Sequence, residues 1–177
     1  MKRWSLAVAA GCLLALPACS PTLDWRELRV TASGRLLFPC RPDQVGRNVV
    51  LEQGSVPATM WTCDAGGLTW SLTRFDLDSS ERAGSLLLEL RHRLLINLKG
   101  SEESALTPEV SGSTASVHAR RSSILGMRTD GSPARAEALF VAQGARAYQA
   151  VVLGRPSAVQ SHSAAVQEFF DSLQWGR

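Results

Sequence analysis

Four cysteines and three histidines are the side chains of this chain whose type alone could open covalent or metal chemistry: Cys12, Cys19, Cys40 and Cys63, with His92, His118 and His162. A thiol can serve as a nucleophile, a metal ligand, half of a disulfide or an acyl acceptor, and spacing decides among them. No C-x-x-C, H-x-x-x-H or H-E-x-x-H run occurs, so the sequence supports neither a redox dithiol nor a metal site. Serines are abundant, but no G-x-S-x-G elbow presents one as a nucleophile. Neither G-x-G-x-x-G nor a P-loop is present to cradle phosphate. His92 lies between Arg91 and Arg93 and reads as part of a solvated face, while His162 reads as the edge of a helical stripe. The adjacent acids Glu102 and Glu103 fall in a Ser-rich run and read as solvated. These readings assign no catalytic residue, no metal ligand and no cofactor.

The N-terminal cysteines stand in a different context. Lys2 and Arg3 precede an uncharged, mostly apolar run of 15 residues, Trp4 to Ala18. A membrane-spanning helix needs about 20 such residues, so the run fits the apolar region of a secretory signal better than a span. It ends in Leu16-Pro17-Ala18-Cys19, which resembles the lipobox of bacterial lipoproteins. The resemblance implies a signal peptide over 1–18, diacylglycerol on the Cys19 thiol and a short membrane tether over 19–24. Pro17 departs from the Ala or Ser usual at its position. "VAAGC", ending at Cys12, competes, but its apolar run from Trp4 to Gly11 is short for a signal. An uncut anchor and an ordinary cleaved signal compete as well, and Leu16 disfavours the latter for a cut after Ala18. Several acyl chains make a stable anchor, since each buried methylene contributes about 0.8 kcal/mol. Ser20, rather than Asp, follows the cysteine, which by the same resemblance implies the outer membrane of a two-membrane host, facing the periplasm.

Once the signal is set aside, Cys40 and Cys63 remain as an even pair in an oxidising compartment. The expectation is a Cys40–Cys63 disulfide, with two buried free thiols as the competing state. Charge excludes another class of partner. Of 19 Lys and Arg, Lys2 and Arg3 precede the cut, leaving 17 against 16 Asp and Glu. A near-neutral chain lacks the basic excess that neutralises phosphates, so no nucleic-acid partner is expected.

Residues 25–177 are long enough for a single domain. Short strands are expected at Trp25–Val30 and Gly34–Phe38, then a Pro-rich loop "PCRPDQVGR". Strands at Arg47–Glu52 and Ala58–Cys63 flank a turn at Gly54–Pro57, and Leu68–Leu77 follows with Leu68, Trp70 and Leu72 on one face. Asp78–Lys99 changes period: Ala83, Leu87, Leu90, Leu94 and Leu98 form a helical stripe, with Asp78 as cap and Lys99-Gly100 as stop. Gly100–Ser116, rich in Ser, Thr and Gly, reads as a mobile connection that could hold a short strand. A three-strand meander follows from Val117 to Gly154, and Ser157–Trp175 reads as one helix. Arg120, Arg121 and Arg128 read as charges protecting a strand edge. The order gives α+β: an antiparallel sheet of about six or seven strands with two main helices.

The runs "LLFPCRPD", "GGLTWSLTRFD", "DGSPARAEALFVAQGARAYQAVVLG" and "FFDSL" resemble a family of uncharacterised bacterial envelope lipoproteins and, in their order, the PsbP-like α/β/α sandwich. This likeness covers most of 25–175 and rests on structural motifs. It implies a fold and a non-catalytic binding or assembly role with an envelope protein partner; a fold alone carries no active site. A periplasmic hydrolase or small-ligand binder using a sheet–helix cleft is the alternative. A deep polar cleft holding two or more of the histidines and an acid would favour this alternative, and a closed apolar core with a hydrophobic or basic surface patch would favour the first reading.

Overall fold

The structure, a computed structural model, describes residues 22–52 and 54–176. The expected signal peptide over 1–18 and Cys19, with Cys12 before it, lie outside the described residues. Among the described residues ten strands and three helices follow in the order β1 (Arg26–Arg29), β2 (Gly34–Phe38), β3 (Asp43–Leu51), β4 (Gly54–Ala65), β5 (Leu68–Asp76), α1 (Arg82–Asn97), β6 (Ser101–Leu106), β7 (Arg120–Met127), β8 (Pro133–Gln143), β9 (Arg146–Gly154), α2 (Pro156–Ser161), α3 (Ser163–Asp171) and β10 (Gln174–Trp175). Seven strands form one antiparallel sheet in the order β3-β4-β5-β9-β8-β7-β6. The expected α+β class and strand number hold for this sheet. A second, three-stranded sheet, β1-β2-β10, was not expected: β1 and β2 pair with each other and with the C-terminal strand instead of joining the main sheet.

The large sheet is buried on both faces because its strands alternate between two sets of apolar side chains. In β8, Ala134, Ala136, Ala138, Phe140 and Ala142 point one way, and Leu139 and Val141 point the other. The first set meets α1 through Ala83, Leu86, Leu87 and Leu90. The second meets α2, α3 and the small sheet, with Trp70 and Phe169 fully buried at the centre. There Trp70 lies edge-on to Phe169 at 5.3 Å, and Phe38 of the small sheet meets the same Phe169 ring at 5.3 Å. Edge-to-face pairs of this kind add about 1 kcal/mol each beyond the area they bury. Ser172 fixes the end of α3 to β2: its Oγ accepts from the Leu37 N–H at 2.9 Å and donates to the Phe169 carbonyl at 2.7 Å.

Several boundaries differ from the sequence reading. β3 begins at Asp43, not Arg47, because β4 is long enough to pair with it as far as Thr62. Gly54–Pro57 belongs to β4 and is not a turn. Pro57 is tolerated there because the β4–β5 ladder begins only at Ala58, so the missing N–H breaks no bond of that ladder. The expected C-terminal helix is two helices meeting at His162, whose φ of −108° and ψ of 19° leave the helical region. The His162 ring packs at the β4–β5 hairpin: a Cβ on Gly66 would stand 2.8 Å from its Nε2. After Asp171 the chain peels away to form β10, where Trp175 pairs with Gly34.

The ends of α1 also differ. Asp78 does not cap the helix; it pairs with Arg82 one turn on, and Glu81 occupies the cap position without a side-chain bond to the backbone. At the other end the expected stop is present as a Schellman turn, with Lys99 N–H to Ile96 O and Gly100 N–H to Leu95 O, both 2.9 Å. Lys99 sits at φ 45°, a left-handed conformation that a side chain disfavours.

The Ser-rich segment after α1 is not mobile by default. Its first part is β6, held to α1 by Arg91, whose Nε donates to Glu102 Oε1 at 2.9 Å while Nη2 pairs with the other oxygen. Its second part is tied down at Thr114, which donates its N–H to the Ala142 carbonyl at 2.7 Å. Ser111 takes the Trp175 N–H at 2.9 Å. Because β6 pairs with β7, Arg120 and Arg121 do not protect an edge: β7 is internal, and these two arginines point to opposite faces, while Arg128 lies past its end in the turn to β8.

Two outcomes follow from these contacts. Lys99→Gly removes the left-handed strain of an exposed residue and is expected to stabilise the domain by about 0.5 to 1 kcal/mol, read as a higher denaturation midpoint. The Glu102 carboxyl titrates below its usual 4.5 because it accepts from Arg91, with burial opposing. A carboxyl depressed in the folded state stabilises above its unfolded pKa and loses that contribution as pH falls through the folded one. Stability of the wild type should therefore drop below about pH 4.5 more steeply than that of Glu102→Gln, which should sit about 1 kcal/mol lower at neutral pH. Urea midpoints measured from pH 7 to pH 3 check both statements.

Candidate functional site

The side chains that sequence reasoning singled out do not converge. Cys40 and Cys63 form a disulfide, as expected, with Cα atoms 6.2 Å apart, joining the end of β2 to β4. Both pack against the core that faces α3. His92 is on the outer side of α1, His118 lies just before β7, and His162 separates α2 from α3. Among the described residues no three His, Cys, Asp or Glu side chains gather as a metal site would need.

What the fold does build is a cleft of about 340 Å³ between α3, the face of β7–β8 and the start of the 107–119 loop. Three elements make it. Strand pairing puts Arg121 of β7 opposite Leu139 of β8. The α3 stripe brings Phe170 to the same place, so that the guanidinium carbon lies 3.6 Å from the Phe170 ring centroid. Pro108 to Ser111 close the third side, held there by the Ser111–Trp175 hydrogen bond. The apolar floor is Leu139, Phe170 and Leu173, all buried, and polar groups of Glu109, Gln167, Asp171 and Gln174 stand around it.

Arg121 is the distinctive group. Burial lowers its pKa, and the nearby carboxylates of Glu137 and Asp171 oppose that shift; a guanidinium stays protonated under such conditions. Neither carboxylate comes within ion-pair distance of it, and both are engaged elsewhere. Asp171 accepts two hydrogen bonds from the Gln167 amide, at 2.8 and 2.9 Å. Glu137 accepts from Ser123 Oγ at 2.8 Å, and Ser123 in turn accepts from Arg135 at 3.0 Å. Arg135 also pairs with Glu103. Among the described residues Arg121 thus has no hydrogen-bond acceptor and no ion pair, only the ring beneath it. Charge of this sort held next to an apolar floor is costly unless something meets it.

Trp175 shapes the neighbouring core. It is buried, and its ring lies 4.8 Å from that of Tyr148. Two glycines allow this. A Cβ on Gly34 would stand 2.5 Å from the indole Nε1, and one on Gly112 would stand 2.4 Å from the Trp175 carbonyl oxygen. Burial, partly offset by Trp175, raises the Tyr148 pKa, so the phenol stays neutral. A wider depression of about 1040 Å³ is lined by the 107–119 loop itself and by Arg120, and it carries small Ser, Thr and Ala side chains with Glu109 and Arg120 as its charges.

Sequence reasoning named Arg121 but gave it a protective role. Period-two alternation did carry a usable signal, since adjacent arginines in a strand must face opposite sides of the sheet. The pairing of Arg121 with Phe170, 49 positions on, had no local signature.

No family model matches the chain, and no curated protein matches it. Among solved structures, PA94 of Pseudomonas aeruginosa, a protein of unknown function, is similar with a TM-score of 0.48 and 11% identity, covering 86% of this chain and 98% of that one.

The disulfide sets one expectation. Its loop spans 23 positions, for which chain entropy assigns about 3 kcal/mol. Cys40→Ala/Cys63→Ala is expected to lower unfolding free energy by about that amount, and non-reducing peptide mapping of the wild type should recover the two cysteines in one linked pair. Free thiols at both positions would contradict it.

Proposed function

We propose that this chain is a lipid-anchored, periplasm-facing domain of the cell envelope, PsbP-like in its three layers, that binds an envelope protein partner without catalysing a reaction. The observation that carries the reading is the Cys40–Cys63 disulfide. Disulfides persist in oxidising compartments, and this one lies downstream of a Leu-Pro-Ala-Cys run that ends an apolar leader. The layering supports the PsbP-like assignment: α1 covers one face of the large sheet, and α2 with α3 covers the other. Among the described residues no helix is long and apolar enough to cross a membrane. In this reading attachment therefore depends on the lipid at Cys19, and the tether of 19–24 leaves β1, starting at Arg26, close to the bilayer. Ser20 after the cysteine favours the outer membrane.

A second reading, a small-ligand binder, is favoured by the Arg121 cleft between sheet and α3. The hydrolase form of that reading has less support, since the three histidines lie away from the cleft lining.

The anchor is tested by growing cells with labelled palmitate and fractionating their envelopes. Wild type is expected to take up label and sediment with the outer membrane, and Cys19→Ala is expected to lose both properties. Label that survives in Cys19→Ala and vanishes in Cys12→Ala would move the attachment site and overturn the assignment.

A further inference from the structure

We propose that the cleft between α3, β7–β8 and residues 108–111 binds an apolar ligand through a single carboxylate, with the Arg121 guanidinium as its anchor. The inference rests on the small-ligand reading of the cleft and is independent of the lipid anchor.

Three features define the ligand. The first is the unmet donor set of Arg121. A guanidinium presents its N–H groups in a planar fork that matches a carboxylate in two parallel hydrogen bonds. Here the fork is held in place by the Phe170 ring at 3.6 Å. A stacked cation over an aromatic face keeps its in-plane donors free for a ligand. Among the described residues no acceptor occupies them.

The second is the charge around the fork. Among the described residues Arg121 is the one cationic side chain lining the cleft, and Glu109 and Asp171 stand on the same lining. Asp171 directs its oxygens to Gln167 rather than to Arg121, so it does not neutralise the fork but contributes negative potential beside it. The fork offers an anion one bidentate contact, and the two carboxylates beside it make each further negative charge unfavourable, so a monoanion is favoured over a dianion. A phosphate dianion would meet repulsion that one arginine cannot offset, so the site discriminates on charge as well as shape.

The third is the floor. Leu139, Phe170 and Leu173 are buried and continuous with the core, and Val110 packs against the same cluster. A volume of about 340 Å³ falls at the small end of ligand sites and accommodates a single ring or a short apolar chain next to the carboxylate. Gln174 provides an amide at the rim for a further polar group, and Gln167, whose amide nitrogen is given to Asp171, adds its carbonyl oxygen. The carboxylate can belong to a free small acid or to the C-terminus of a peptide with an apolar last residue, and the two sources share this chemistry.

The test is calorimetric titration of the full chain in detergent micelles, with the micelle alone as blank. The probes are phenylacetate, its neutral amide phenylacetamide, inorganic phosphate, the dipeptide Gly-Phe and Gly-Phe amide. Each free acid is expected to bind roughly tenfold or more tightly than its amide, the increment of a charge-assisted bidentate contact. Phosphate is expected to bind more weakly than phenylacetate. Arg121→Gln should abolish the acid–amide difference, and Arg121→Lys, which keeps the charge and loses the fork, should retain only part of it. Tighter binding of Gly-Phe than of phenylacetate assigns the site to peptide C-termini; the reverse order assigns it to free acids. Equal binding of acid and amide, phosphate tighter than phenylacetate, or no binding by any probe would overturn the proposal. The acid–amide comparison uses wild-type protein, so the outcome stands even if Arg121→Gln does not fold. Cys19→Ala, which alters only the anchor, should leave all these affinities unchanged, so a failed anchor and a failed cleft are told apart.

Discussion

Burial of the seven-stranded sheet on both faces is the constraint from which the other arrangements follow. Once a strand has core on either side, alternate residues must be apolar for two different reasons, and a one-residue slip would exchange them. β8 meets the demand by dividing sizes between the faces. Four alanines and Phe140 face α1, while Leu139 and Val141 face α3. Small side chains let α1 lie close to the sheet. On the other face the space is filled by large rings, Trp70, Phe169, Phe38 and Trp175, packed between the sheet, a two-helix layer and a small sheet. Burial at about 25 cal/mol per Å² rewards this division on both sides at once.

The ends of the sheet obey different rules. β3 is a nine-residue edge strand whose side chains are exposed along most of their length, and Arg47 and Gly46 at its centre interrupt any apolar run. At the opposite edge, β6 is held by ionic contacts rather than by packing. Glu102 faces α1 and meets Arg91, while Glu103 faces the other side and meets Arg135. Successive acids in a strand thus serve opposite layers. Glu89 does similar work near β3: one carboxylate oxygen takes the Glu52 N–H at 2.9 Å and the Arg93 Nε at 2.8 Å, tying α1 to the β3–β4 hairpin.

Much of the fold was legible because the core strands and α1 satisfy local periodicity and global packing together. β2, β5, β8 and β9 lie where alternation places them, and the stripe from Ala83 to Leu98 is the buried side of α1. The illegible parts depend on contacts distant in sequence. β6, Ser101–Leu106, was expected only as a short strand that the connection could hold, because Ser, Glu and Ala carry no strand propensity, and its place and length are set by the free edge that β7 offers. The C-terminal helix ends early because Trp175 finds its place against Gly34 and Tyr148. The small sheet exists only because residues near both ends of the domain meet. The disulfide was legible from the cysteine count together with the compartment that the Leu-Pro-Ala-Cys resemblance led one to expect. The Arg121 cleft was not, since its three sides come from β7, α3 and a loop that reads as solvent-exposed.

The same long-range closure explains why the cleft exists at all. If α3 had run on unbroken to Trp175, no β10 would cross to Gly34, and Ser111 would have no N–H to accept. The 107–119 loop would then lack its tie beside α3, and the third wall of the cleft would be absent. Trp175 thus acts at a distance on Arg121: its ring closes the core over Tyr148, and its backbone N–H fixes the loop whose Pro108–Ser111 segment faces the guanidinium. A surface loop with no such tie would lack a fixed position beside the half-buried guanidinium. Here the loop is held open at a fixed distance, and the cation at the bottom stays accessible from outside. That is the arrangement of a site, in which rigidity comes from the core and access from a strand two residues long.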